Sequence, residues 1–281
     1  MLKQRVITAV LLLLVLLPAL FYREAAPFNV LALAFIAAAA WEWARLNGYD
    51  LPGSYLVGAL CAALCAGLWW AGWLGQSLPQ VWLLTGALWV LLGSWILRAG
   101  VPAWGQFKRS LRLLVGLLAL VVTWLAVAQA KLIGTNFLLS VFALVWVADM
   151  GAYFAGRTWG GRMVARKLAA SISPGKSWEG VWGGMVAVLL LAWAWTRFDV
   201  WAQPAVPSLY GHLAERGPVF VVIACLFLAA MSVVGDLVES LVKRSAGVKD
   251  SSKLLPGHGG VLDRVDALLP SLPLAMMLYT F

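Results

Sequence analysis

The sequence predicts an all-α polytopic membrane protein with about nine transmembrane helices. Of its 281 residues, 63% are hydrophobic and only 12% are charged, and 17 are Trp. Soluble globular domains carry about 25% charged residues, and disordered chains combine low hydrophobicity with high charge. The composition therefore excludes both a soluble domain and a disordered chain.

Each bilayer crossing takes about 20 apolar residues. Apolar stretches of suitable length lie at 6–22, 27–46, 54–72, 78–97, 110–130, 134–154, 180–198, 218–238 and 263–281. The first follows Lys3 and Arg5, as in a signal peptide, but it lacks a small-residue cleavage site. We therefore predict that it is retained as a helix.

The basic residues predict the orientation of these helices. With the N-terminus in the cytoplasm, nine alternating spans place 17 of the 21 Lys and Arg residues on the cytoplasmic side. Cytoplasmic loops of membrane proteins collect Lys and Arg. The C-terminus is then on the opposite side. The Lys and Arg residues of these cytoplasmic loops account for the net charge of +9, so we predict no nucleic-acid partner.

Acidic residues are distributed unevenly along the chain. Three lie in the first 135 residues, and the other nine lie between Asp149 and Asp266. We therefore predict an N-terminal transmembrane scaffold of about five spans at 1–133. A C-terminal catalytic region of about four spans follows at 134–281, with cytoplasmic loops at 155–180 and 239–263.

Three carboxylates fall inside the first eight predicted spans, each near the cytoplasmic end. They are Glu42 in the segment WEWARL, Asp149 in the sixth span and Asp236 in the eighth. An ionisable group at the centre of a span costs about 2.5–3.5 kcal/mol on insertion scales and indicates a function. All three approach the same membrane face.

Asp236 begins a polar stripe on its helix. Glu239, Ser240 and Lys243 follow at spacings of three, four and seven residues, which places the four side chains on one helical face. A solvated helical face at the membrane surface is the alternative interpretation.

The connection after this helix, SAGVKDSSKLLPGHGGVLDRVD, contains Gly257, Gly259 and Gly260, which would let backbone N–H groups approach an anion. Asp263 and Asp266 follow at the opening of the ninth span. Helix capping alone would suit Asp263. Both carboxylates together with Asp236 suit a hard cation such as Mg²⁺ better. We assign the nearby His258 a polar contact to substrate or loop.

A second loop contains SISPGKSWEG. Residues 173–176 predict a turn, Ser177 is suited to cap the following helix, and Glu179 lies in its first turn. SPGK before a helix is also suited to hold a phosphate, although it is not the P-loop pattern. The alternative is an ordinary basic cytoplasmic loop.

Together, these residues predict phosphoryl or nucleotidyl transfer to a lipid at the cytoplasmic boundary, since a metal and cations neutralise anionic phosphates. Two alternatives remain. One is another metal-dependent lipid phosphotransferase, such as a polyprenyl-phosphate sugar-phosphate transferase. The other is a transporter in which Asp149 and Asp236 couple ions, although transporters commonly have repeats in both halves.

The segment 240–266 resembles the signature of the phosphatidate cytidylyltransferases, also called CDP-diacylglycerol synthases. That signature runs S-x-x-K-R-x-x-x-x-K-D, then a short spacer, P-x-H-G-G and D-R-x-D. Its fixed positions are all matched here, by Ser240, Lys243, Arg244, Lys249, Asp250, Pro256, His258, Gly259, Gly260, Asp263, Arg264 and Asp266. The upstream segments DMGAYFAGR and SPGKSWEG also resemble the family, so the similarity covers at least 146–281.

The resemblance implies a Mg²⁺-dependent transfer of CMP from CTP to phosphatidic acid, with a second cation as an open alternative. It implies catalytic roles for Asp236, Lys243, Asp263 and Asp266. The three aspartates surround the metal, and Asp149 and Glu239 are further candidate ligands. The expected substrate-binding residues are Ser240, Arg244, Lys249, Arg264, His258, Lys176, Ser177 and Arg157. It also suggests a homodimer and, for a bacterial source, an inner-membrane location.

Overall fold

A computed structural model describes residues 2–281 of the chain. The side chains of Leu2, Lys3 and Arg5 are outside the described residues, so the N-terminal charges of the topology prediction are not described. The described chain is helical, and its only β-pairings are two isolated bridges, Ala169–Ser173 and Leu255–Gly259. The predicted all-α fold class is therefore confirmed.

The long helices of the chain are α1 (Leu2–Phe21), α2 (Ala26–Leu46), α3 (Leu51–Trp70), α7 (Arg109–Ile133), α8 (Thr135–Trp159), α9 (Trp178–Ala202) and α11 (Pro218–Ser245). The shorter helices are α4 (Pro79–Leu88), α5 (Ser94–Ala99), α6 (Val101–Gln106), α10 (Leu209–Ala214), α12 (Leu262–Val265) and α13 (Leu268–Thr280). A 3₁₀ turn lies at Trp73–Gly75, and a π-helical turn at Trp89–Gly93 joins α4 to α5.

Seven helical stretches of the described chain are long and apolar enough to cross a membrane, so this is a multi-pass membrane protein. They correspond to the second through eighth predicted spans. The first and ninth predicted stretches are also helical: the first corresponds to α1, which has 20 residues, and the ninth contains the shorter α13. The 13 residues of α13 reach about 20 Å, against a hydrocarbon thickness of about 30 Å.

The chain divides into two compact units. The first contains the described residues up to Ser77, together with Val101–Thr135 and Val242–Asp266. The second contains Leu78–Gly100, Asn136–Leu241 and Ala267–Phe281. The proposed division into a scaffold at 1–133 and a catalytic region at 134–281 is a division by role, and it remains a prediction.

In the first unit, α2 packs between α3 and α7. The Trp43 indole of α2 donates a hydrogen bond to the carbonyl of Arg112 at 3.0 Å. A side chain at Gly116 of α7 would collide with that indole, so glycine allows the close approach. This packing accounts for the second tryptophan of WEWARL, and it fixes the rotation of α2 about its axis.

In the second unit, α8 and α9 approach closely through small residues. A Cβ atom built at Gly184 would lie 2.7 Å from the carbonyl oxygen of Ala148, and one at Gly151 would lie 2.7 Å from the Cβ of Ala187. Small residues permit such backbone contact between membrane helices. The close packing holds the ends of α8 and α9 together, where the pocket described below opens.

Candidate active site

A pocket of about 380 Å³ lies in the second unit. Its walls come from α8, the loop before α9, the start of α9, and α11. The lining residues are Asp149, Ala152, Tyr153, Gly156, Arg157, Leu168, Gly175, Lys176, Ser177, Gly180, Val181, Val233 and Asp236. It contains two carboxylates and two cationic side chains, all four of which the sequence singled out.

Lys176 and Asp236 form an ion pair across this pocket. Ser240, one turn further along α11, donates a hydrogen bond to Asp236 Oδ1 at 3.3 Å. The predicted turn at SPGK is confirmed, because the N–H of Lys176 donates to the carbonyl of Ser173 at 3.1 Å. The turn thus places a lysine ammonium beside an acidic side chain of a neighbouring helix.

The loop that carries Lys176 is held at both ends. Ser177 caps α9 as predicted, accepting a hydrogen bond from the N–H of Gly180 at 3.2 Å. Glu179 Oε1 accepts from the N–H groups of Met163 and Val164 at 3.0 and 2.9 Å. The sequence predicted only that Glu179 lies in the first turn of the helix that became α9. Its partners lie 15 and 16 residues away, and no local pattern indicates them.

Arg157 and Asp149 reach the pocket from α8. The guanidinium of Arg157 donates to the hydroxyl of Tyr153 at 2.9 Å and is exposed. Glu239, the further candidate ligand on α11, is buried. The pocket therefore gathers Asp149, Asp236 and the predicted phosphate-binding residues Lys176, Ser177 and Arg157.

A second cluster of polar residues lies in the first unit and is built around Glu42, whose side chain is 0% exposed. Glu42 Oε2 accepts hydrogen bonds from Ser251 Oγ at 3.0 Å and the N–H of Leu262 at 2.6 Å. Glu42 Oε1 accepts from Ser252 Oγ at 2.5 Å and the N–H of Val261 at 2.9 Å. Four donors of the signature segment thus converge on one carboxylate of α2.

Asp263 lies beside this cluster and forms a nearly buried ion pair with Lys243. The Lys243 Nζ and Asp263 Oδ1 atoms are 2.6 Å apart, with side-chain exposures of 11% and 8%. Asp263 Oδ2 also accepts from the N–H of Gly260 at 2.7 Å. It lies 3.0 Å from Ser251 Oγ, whose single proton is shared between Asp263 and Glu42. Lys243, which was predicted to hold phosphate, is therefore in contact with Asp263, which was predicted to hold the metal.

The glycines of the signature serve a different purpose from the one the sequence suggested. The N–H of Gly260 is directed at Asp263, and the next two N–H groups are directed at Glu42, so the anions they approach are protein carboxylates. A Cβ atom at Gly260 would lie 2.5 Å from Glu42 Oε1. Gly259 adopts a φ of 84°, which favours glycine.

The remaining predicted residues lie nearer the surface of the same segment. Arg264 donates to the carbonyl of His258 at 3.0 Å through Nε, and Arg244 donates to the carbonyl of Val248 at 3.3 Å. Lys249 is exposed. Asp266 follows the short helix α12, so the predicted opening of the ninth span is a single turn rather than a continuous helix.

No group of three or more His, Cys, Asp or Glu side chains placed to hold a metal ion is found among the described residues. The donors that are present nevertheless suit a hard cation, because Mg²⁺ is usually held by one or two carboxylates together with substrate phosphates. Asp149 and Asp236 line one pocket, and Asp236 and Asp263 each hold a lysine ammonium. The residues therefore fit Mg²⁺ in their chemistry.

Sequence comparisons point to one family. A profile of the cytidylyltransferase family matches residues 3–281. The chain is 41% identical over 278 residues to a phosphatidate cytidylyltransferase of Pseudomonas aeruginosa, covering 97% of this chain and 95% of that protein. It is 35% identical over 300 residues to one of Haemophilus influenzae, covering 100% and 99%. The chain therefore belongs to the cytidylyltransferase family.

Proposed function

We propose that this protein transfers CMP from CTP to phosphatidic acid, releasing pyrophosphate and forming CDP-diacylglycerol for phospholipid synthesis. The observation that carries the proposal is the twelve-position signature, within a chain that matches relatives named phosphatidate cytidylyltransferase along nearly its whole length. The enzyme is thus a nucleotidyltransferase acting on a lipid substrate.

The chemistry requires charge neutralisation rather than a strong base. A phosphate oxygen of phosphatidic acid forms the new bond to the α-phosphorus of CTP, and the bond to pyrophosphate breaks. Since that oxygen is already ionised at neutral pH, we assign no general base. Lys176 and Arg157 in the pocket, together with Lys243, Arg244, Lys249 and Arg264 of the signature, offset the negative charge of the phosphates.

We assign Mg²⁺ to Asp236, Asp263 and Asp266, with Asp149 and Glu239 as further candidates. When bound, the metal supplies charge stabilisation for the transferring phosphoryl group. The chemistry of these side chains supports the assignment, because Mg²⁺ is usually held by one or two carboxylates together with substrate phosphates. Ser240, Ser177 and His258 are assigned to substrate contacts.

The full topology is nine spans, with the N-terminus and the reaction on the cytoplasmic side of a bacterial inner membrane. The distribution of Lys and Arg supports it. In the first unit, Thr8 of α1 donates a hydrogen bond to the carbonyl of Pro256 at 2.9 Å, which favours one membrane side for the N-terminus and the signature segment. Reporter fusions at both termini test this topology, and a cytoplasmic C-terminus would overturn it.

The proposed partners are CTP, phosphatidic acid and the bilayer, and the protein is proposed to form a homodimer. Purified protein should release pyrophosphate from CTP and phosphatidic acid only when Mg²⁺ is present. ATP, GTP and UTP replace CTP in the control reactions. Transport of an ion or solute without pyrophosphate release would favour the transporter alternative. Transfer from a nucleotide sugar would favour the sugar-phosphate transferase.

A further inference from the structure

A second pocket, of about 340 Å³, lies in the first unit where four helices begin or end. Helices α1 and α7 end beside it, and α2 and α8 begin there. Its lining residues are Phe21, Tyr22, Arg23, Ala25, Lys131, Leu132, Gly134 and Thr135. Ala25 and Glu42 lie at opposite ends of α2, about 25 Å apart at 1.5 Å per residue. Since α2 is long enough to span, this pocket and the Glu42 cluster face opposite membrane surfaces.

The pocket is built on a buried lysine. Lys131 is 7% exposed, and its Nζ donates to the carbonyl of Leu20 at 2.5 Å and to Thr135 Oγ1 at 2.8 Å. A longer contact of 3.4 Å reaches the carbonyl of Tyr22. All three acceptors are neutral, and no described carboxylate pairs with this ammonium. Carbonyls at a helix end carry about half an elementary charge, so they offset only part of the positive charge.

Both charged side chains that line the pocket, Lys131 and Arg23, are positive. Arg23 lines it, is exposed, and forms no ion pair with the described residues. Thr135 is the first residue of the 25-residue helix α8, whose N-terminus adds a partial positive charge. No acidic side chain is among the lining residues. The partial charges of the helix ends oppose one another, because α1 and α7 end at the pocket while α2 and α8 begin there. The two cationic side chains therefore decide the sign of the site, and they select an anion.

The surroundings identify the class of anion. Phe21, Tyr22 and Leu132 expose apolar or aromatic surface at the rim of the pocket. Aromatic side chains at the ends of spans lie at the level of lipid headgroups. A ligand there meets cations on one side and hydrocarbon on the other. We propose that this pocket binds the phosphate of an anionic phospholipid in the leaflet opposite the Glu42 cluster.

The full chain in detergent tests the proposal through its thermal unfolding midpoint. The probes are short-chain phosphatidylglycerol, which is not a proposed substrate, short-chain phosphatidylcholine, and inorganic phosphate. Ligands that bind the folded state raise the midpoint, and the stabilisation grows with the logarithm of the ligand concentration divided by Kd. Phosphatidylglycerol should bind about tenfold more tightly than phosphatidylcholine, because Lys131 and Arg23 repel the choline cation that phosphatidylcholine carries beside its phosphate.

Arg23→Gln should weaken phosphatidylglycerol binding about tenfold and leave CTP-dependent turnover unchanged. Arg197→Gln is the matched control, because it removes an exposed arginine that lines neither described pocket. Lys131→Met should abolish the preference, and Arg23→Gln still decides the question if that variant does not fold. Equal binding of both lipids, equal stabilisation by inorganic phosphate, or an unchanged affinity in Arg23→Gln would overturn the proposal.

Discussion

The backbone N–H of Leu262 donates a hydrogen bond of 2.6 Å to the carboxylate of Glu42, which lies 220 residues earlier in the chain. The signature segment is therefore attached to the second helix of the protein by a buried acidic side chain. Since buried carboxylates are costly unless they are hydrogen-bonded, the four donors around Glu42 stabilise the helix and the segment together.

Glu42→Gln should disorder this segment and lower kcat/KM for CTP at least about tenfold. The glutamine amide has one accepting oxygen, so two of the four donors would face an NH₂ group instead. Turnover and hydrogen exchange over 249–262 provide the measurements. Glu24→Gln is the control, because Glu24 is exposed and its side chain forms no hydrogen bond or ion pair with the described residues. Normal exchange and turnover in Glu42→Gln would contradict the role of the carboxylate.

The Lys243–Asp263 pair predicts a non-additive result. Lys243→Met leaves a nearly buried carboxylate without its ammonium, which costs about 3–5 kcal/mol when a buried pair is broken. Adding Asp263→Asn removes that uncompensated charge, so the double variant should unfold at a higher temperature than the single one. The single and the double variant should each lose turnover by roughly 10²-fold or more, as for loss of a charge-stabilising group. Additive losses of stability would show that the pair is not coupled.

A side chain at Gly184 should separate α8 from α9 and impair the pocket. The Cβ atom of Gly184→Ala would lie 2.7 Å from a backbone oxygen that cannot move independently of α8. We expect a lower unfolding temperature and reduced turnover. Gly67→Ala is the matched control, since no atom lies within 4 Å of its Cβ position. That control should gain up to about 1 kcal/mol from helix propensity.

Glu179 offers a test of how the loop before α9 is held. Glu179→Gln keeps an oxygen that can accept from the N–H groups of Met163 and Val164, whereas Glu179→Ala leaves both donors without it. The alanine variant should lose most turnover and become sensitive to proteolysis at 160–177. The glutamine variant should retain much of its turnover and much of its resistance to proteolysis. Equal loss in the two variants would indicate that charge, rather than hydrogen bonding, is what matters.

Asp266→Asn should abolish Mg²⁺-dependent turnover while leaving the protein folded, if Asp266 holds the metal as proposed. Its amide has the same shape but lacks the charge that a hard cation requires. Pyrophosphate release across a Mg²⁺ titration provides the measurement. Normal activity at all Mg²⁺ concentrations would remove Asp266 from the metal set.

The helices were predictable because apolar length and helix caps are local signals. The cap at Ser177 and the turn before it follow from residues within four positions of each other, and both are confirmed. The shortened ninth helix was less evident, since 263–281 is continuously apolar after Asp266. In the structure α12 ends at Val265 and α13 begins only at Leu268.

The site was predictable in its residue types but not in its pairings. Asp236 and Lys176 were both singled out, yet nothing in the sequence joins residues 60 positions apart in separate segments. Glu42 was recognised as a carboxylate inside a span, while its partners Ser251 and Ser252 carried no signal of their own. Long-range hydrogen bonds depend on how helices pack, and a single sequence does not encode that packing as a local pattern.

The attachment of the signature segment to α2 constrains how this enzyme can be recombined with its relatives. A chimera that joins the first half of one protein to the second half of another would separate the carboxylate of α2 from the segment that donates hydrogen bonds to it. Position 42 and residues 251–262 should therefore be exchanged as one unit, even though at least 209 positions separate them in the sequence.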